Sequence, residues 1–215
     1  MSRVFVVIFS LLWVAYPGIF GTSNAAVKKI SGIVHFKGAI ATTGTNAQPF
    51  TLPAAFRPVT DVYVPIDLCN ATNGRLHITP SGAVIVQAET SFSNAQCFTS
   101  LDGAWFAPTV GGFAGFALIN GWTNAPFSTS NAQATNMFGT VYFKGAIATT
   151  GTNSQFATLP PRFRPVTNVY INVDLCNATK GRIIIQTNGV VSAQAETSFS
   201  NAQCFTSLDG VSYVQ

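Results

Sequence analysis

Four cysteines set the first chemical constraint on this chain: Cys69 and Cys97, then Cys176 and Cys204, each pair 28 positions apart. Zinc sites gather cysteine and histidine at short spacings such as C-x-x-C. That motif is absent and no histidine sits beside either pair, so neither a metal nor any other cofactor is expected. An even cysteine count at a repeated spacing points instead to bridges from Cys69 to Cys97 and from Cys176 to Cys204. Directly after the first cysteine of each pair stands Asn-Ala-Thr, at Asn70 and Asn177. This is a glycosylation sequon in a eukaryotic secretory pathway and a turn former in a bacterium.

The pairing repeats because the chain repeats. Shifted by 107 positions, Lys37 to Gly103 falls on Lys144 to Gly210 without a gap, and 49 of the 67 paired residues are identical. Such a match marks the tandem duplication of one structural unit. QAETSFSNAQCFTSLDG, residues 87–103, returns unchanged as residues 194–210.

Any chemistry common to both copies must use residues that both contain. His35 and His77 align with Tyr142 and Ile184, which removes Ser-His and Cys-His nucleophiles as a shared mechanism. The acids kept in both copies are Asp67/Asp174, Glu89/Glu196 and Asp102/Asp209. A carboxylate pair could hydrolyse a glycoside, but Asp102-Gly103 is a turn signal and the others fall at strand ends, where solvated acids are ordinary. No phosphate-cradling glycine loop occurs. The residues therefore describe a protein that is not an enzyme. Aromatic side chains on outward faces become the candidates for ligand contact: Tyr63 and Tyr170, equivalent in the two copies, ahead of Trp105 and Trp122.

The elements that must position these residues are strands. In DVYVPIDLC, Val62, Val64, Ile66 and Leu68 alternate with Asp61, Tyr63, Pro65 and Asp67, the period-two pattern of a half-buried strand. The second copy, NVYINVDLC, exchanges volume on the apolar side (Val64 for Ile171, Ile66 for Val173) and polarity on the other (Asp61 for Asn168, Pro65 for Asn172). Pro65 lacks an amide hydrogen, which predicts an edge strand or a bulge. Further strands are predicted at IVHFKGAIA, GRLHI, AVIVQAE and AQCFTSL, separated by TTGTN, ATNG, TPSG and LDG. Helical periodicity is not sustained in any stretch after the N-terminal segment. The expected fold class is all-β: two tandem antiparallel β-sandwich domains, each with one disulfide.

Charged residues make up only 8% of the chain, and the net charge of +4 comes from scattered basic residues without a stripe. Nucleic acid is not an expected partner. A low-charge surface suits a secreted chain or one that hides its surface in an oligomer. The N-terminus carries Arg3, an apolar run from Val4 to Phe20, the breaker Pro17-Gly18 and a small-residue stretch with Ser23 and Ala25. This order predicts a signal peptide over residues 1–25 and hence a secreted or extracellular protein, periplasmic if bacterial, with no membrane contact after cleavage. The remainder divides into a first repeat at 26–107 with its opening strand missing or degenerate, a linker at 108–115, and a second repeat at 116–215.

Several segments in order carry a resemblance. TLPAAFRPVT and TLPPRFRPVT resemble the TLPAGYRP segment of bacteriophage tail-fibre and minor tail proteins; SLDGAWF and SLDGVSY resemble the SLDGISF strand that closes the same unit. In the second copy ALINGWTN is similar to an LLNGW opening, and FGTVYFKGAIAT to the strand that follows it. The resemblance implies a distal adhesive module that recognises a cell-surface glycan or protein, has no catalytic residues, and forms homo-oligomers, trimers in that family. The signal peptide, the cysteine pairs and the duplication depart from the family, because phage fibres assemble in a cytoplasm where disulfides do not persist. The expected function is a secreted adhesin or lectin-like module. The alternative is a structural coat, matrix or fibre-forming protein without a specific small ligand.

Overall fold

The computed structural model describes residues 5–6, 9–10, 12–15, 20–109 and 111–215. The chain divides into two compact units, Met1–Thr109 and Val110–Gln215, and the strands described in both pair antiparallel. The division falls inside the stretch expected to be the linker.

Each unit contains the same three sheets. In the second, Ala114–Gly115, Gln133–Met137, Thr140–Lys144 and Ser212–Val214 form one four-stranded sheet in that order. Trp122–Asn124, Ala146–Thr149 and Thr206–Ser207 form a three-stranded sheet, and Gln155–Thr158, Val190–Ala195, Lys180–Ile185 and Val169–Asp174 another four-stranded one. The first unit repeats this with Phe5–Val6, Ala26–Ile30, Ile33–Lys37 and Trp105–Phe106; with Trp13–Ala15, Ala39–Thr42 and Thr99–Ser100; and with Phe50–Thr51, Ala83–Ala88, Asn73–Ile78 and Val62–Asp67. One core per unit draws inward side chains from all three sheets, including Trp13, Phe36, Phe50, Val64, Leu76 and Phe106 in the first unit. The arrangement is sandwich-like, and the alternation read from DVYVPIDLC is its inner and outer faces.

Val62–Asp67 is an edge strand, as Pro65 requires. The chain passes between sheets at Gly38 and Gly145, whose φ angles are 90° and 93°. A Cβ at either glycine would strike carbonyl oxygens of the preceding segment, Ser23 and Asn24 or Ser130 and Asn131. The conserved line SLDG braces this bend: Asp102 Oδ1 accepts from Gly38 N at 2.8 Å and Asp209 Oδ1 from Gly145 N at 3.2 Å. Both acids thus have an architectural partner.

The bridges close Cys69 to Cys97 and Cys176 to Cys204, with Cα separations of 5.8 and 5.7 Å. The second cysteine of each ends a six-residue helix, Phe92–Cys97 or Phe199–Cys204, where a strand was predicted. The hydroxyl of Ser91 or Ser198 caps that helix by accepting from the amide two residues on. The helix buries one alanine, Ala95 or Ala202, so it is too short to show a helical period, and the predicted strand begins only at Thr99 or Thr206.

The described part of the N-terminal apolar run lies in the first unit. Trp13 pairs with Thr42 and its Nε1 donates to Asn46 O at 2.7 Å; Trp122 pairs with Thr149 and donates to Asn153 O at 2.9 Å. Phe9 bridges Phe50 as Leu118 bridges Ala157. Phe9, Ser10 and Trp13–Ala15 thus take the places of Leu118, Ile119 and Trp122–Asn124, at an offset of 109 rather than 107 positions. An apolar run is what a leader and a buried opening strand both require. Residues 1–4, 7–8, 11 and 16–19 of the expected signal peptide lie outside the described residues.

Candidate functional site

The two candidate tyrosines occupy the same place on the outer face of the four-stranded sheet that ends in the edge strand, and their surroundings differ. Tyr170 pairs with Ile184 and is 60% exposed. Tyr63 pairs with His77 and is 9% exposed. The His77 imidazole stacks on the Tyr63 ring, with centroids 4.4 Å apart and planes 6° apart, and its Nε2 lies 3.0 Å from Asp61 Oδ1. The Arg75 guanidinium carbon is 4.9 Å from the same ring. In the second unit Asn168 replaces Asp61, and its Oδ1 accepts from Thr187 N at 3.1 Å. No imidazole is then available to cover Tyr170, which keeps only Arg182, whose guanidinium carbon is 5.4 Å from the ring centroid.

Beside Tyr170 the sheet forms a groove of about 390 Å³ lined by Asn172, Lys180, Arg182, Gln194 and Glu196 over a floor of Gly181 and Ala195. Strand register explains the grouping. Asn172 pairs with Arg182 and Arg182 with Gln194, placing the three side chains in one row across the face, while Asp174 pairs with Lys180 in the next row. Glu196 N donates to Lys180 O at 3.1 Å, which brings Glu196 into that second row. Arg182 Nε donates to Gln194 Oε1 at 2.8 Å. The first unit keeps the arginine–glutamine contact, Arg75 to Gln87 at 2.5 Å. It has Pro65 where the second has Asn172, and Asn73 where the second has Lys180.

The remaining sequence candidates are dispersed. Trp105 and Trp122 are both buried in their units. Asn70 and Asn177 are exposed, at φ of 60° and 59°, in matching turns beside the bridges; asparagine is one of the few residues that adopts this conformation readily. Asp67 is exposed and Asp174 buried, so the two copies do not present this acid alike. Among the described residues, no cluster of three or more His, Cys, Asp or Glu is placed to hold a metal, and no helix is long and apolar enough to cross a membrane. The groove itself was missed in the sequence because its residues come from three strands. The signal that would have found it is the set of outward substitutions, Pro65 to Asn172 and Asn73 to Lys180.

Comparison with models of known protein families, with curated proteins and with solved structures finds no match to the chain. What fold and site define is a disulfide-bridged all-β protein of two units, with an open aromatic residue and a polar groove on one outer sheet face.

Proposed function

We propose that this chain is a secreted, non-enzymatic binding module that recognises a cell-surface glycan or protein, in the manner of the tail-fibre adhesins its motifs resemble. The second unit supplies the recognition face. The observation that carries this reading is Tyr170, open to solvent beside a concave polar groove. An aromatic face stacks on the C–H side of a sugar ring while nearby amides and charges bond its hydroxyls. In the first unit the stacking position over Tyr63 is taken by His77, so the duplication yields one open face rather than two. A glycan array of the protein and of its Tyr170→Ala variant tests the reading. Tyr170-dependent binding supports it; a ligand retained in full by the variant overturns the site.

The alternative, a coat or fibre-forming protein, draws on a different observation. Phe138 is 95% exposed at a hairpin tip, and Val166 and Val214 are 80% and 77% exposed in the same unit. Light scattering that shows a concentration-dependent oligomer, together with an array that shows no ligand, would favour that reading, and a trimer would fit the resemblance.

A further inference from the structure

Resting on the reading above, we propose that the groove beside Tyr170 is a site for an acidic sugar, a pyranose chain bearing carboxylates. The argument begins with which polar groups the protein leaves unused. Arg182 commits Nε to Gln194, and its other four N–H groups have no acceptor among the described residues. Among those residues Lys180 and Glu196 form no ion pair although they are neighbours across the sheet, and the Asn172 amide has no side-chain partner. The groove thus presents a guanidinium fork, an ammonium, an amide and one carboxylate around a volume of about 390 Å³, within the roughly 300–1,000 Å³ of small-ligand clefts.

Charge separates the two units. Lys180 and Arg182 balance Glu196 and the buried Asp174 opposite Lys180, whereas at the equivalent places of the first unit Arg75 faces both Glu89 and Asp67, because Asn73 stands there in place of Lys180; the second unit is thus more positive by one charge, and both of its cations line the groove. The guanidinium fork matches a carboxylate in two-point geometry and the ammonium adds a second, flexible donor. Arg182 stands beside the open ring of Tyr170, and Lys180 lies one row further along the same groove, opposite Asp174. A sugar ring stacked on that tyrosine can direct its carboxylate onto Arg182, and the next ring of the chain can direct its own onto Lys180, with hydroxyls meeting Asn172, Gln194 and Glu196. Neutral sugars would use the tyrosine and amides but leave the two cations unpaired.

The test is calorimetric titration of the full chain with oligomers of a hexuronic acid and of a nonulosonic (sialic-type) acid, each compared with the same oligomer after its carboxyls are reduced to hydroxymethyl groups. The expected result is that at least one acidic oligomer binds ten-fold or more tightly than its reduced form, with a preference that weakens as salt rises. Lys180→Asn, which installs the residue already present in the first unit, is expected to cut that preference several-fold. If neither acid exceeds its reduced form, or if Lys180→Asn leaves the preference intact, the inference is overturned. In that event a neutral ligand whose binding depends on Tyr170 leaves the binding reading standing, whereas the absence of any Tyr170-dependent ligand removes both.

Discussion

Removing the bridge of the second unit by the pair Cys176→Ala and Cys204→Ser gives a loss that can be worked from the chain itself. The bridge closes a loop with a sequence separation of 28. In the chain-entropy account such a loop restricts the unfolded ensemble by about 3.6 kcal/mol at 25 °C. The unit holds 106 residues (110 to 215), and at about 2.1 cal/mol/K of unfolding entropy per residue that loss lowers its melting temperature by about 16 °C. Alanine suits the buried Cys176 and serine the exposed Cys204, so little else changes. Scanning calorimetry of the full chain is the assay. Because the first bridge closes a loop of the same separation, the pair Cys69→Ala and Cys97→Ser should lower the other unit's transition by a similar amount. A loss below about 1 kcal/mol in either unit would refute the reasoning, since it would mean that the bridge does not restrain that unit's unfolded chain.

Further outcomes follow from single side chains. Trp13→Ala should destabilise the first unit by about 3–5 kcal/mol, as Trp122→Ala does the second, because each removes a buried indole and its hydrogen bond; a chain starting at Ala26 should lose at least as much, measured by urea titration. Ala71 is exposed at a φ of 57°, a conformation costing L-residues roughly 1–2 kcal/mol, so Ala71→Gly should stabilise the first unit by about 0.5–1 kcal/mol after glycine's larger entropy loss. Burial lowers the His35 pKa below 6.5. The unfolded chain therefore takes up a proton near pH 6.5 before the folded one does, and this contribution to first-unit stability is lost as pH falls from 6.5 through the lowered folded value. Urea titrations at pH 7.5 and pH 5 should show that loss reduced in His35→Gln. Tyr142 stands at this position in the second unit, which should show no such dependence on this site.

Much of the fold was legible in the sequence because it rests on local pattern. The alternation of Val62, Val64 and Ile66 set the inner face, Pro65 marked an edge, and the repeated 28-residue spacing paired the cysteines. The Phe92–Cys97 helix was not legible, since a single capped turn with one buried alanine leaves no period. Nor was the packing of Trp13, because the apolar run that contains it satisfies the pattern of a leader equally well. The site was half legible. Tyr63 and Tyr170 stand at equivalent places on one sheet face, but only Tyr170 is open, because identical residues do not have identical neighbours: what separates them is His77 against Ile184, cross-strand partners that sequence order alone does not pair. The groove needs three strands in register, Asn172 beside Arg182 beside Gln194, and register is a property of the folded sheet.

The inequality of the two tyrosines is therefore the central claim, and affinity for one glycan ligand measured on three single variants tests it most directly. The account predicts that Tyr170→Ala lowers affinity ten-fold or more, that Tyr63→Ala leaves it within two-fold, and that His77→Ala, by uncovering Tyr63, adds a second and weaker binding event. Binding that survives Tyr170→Ala, or that falls equally with Tyr63→Ala, would contradict it.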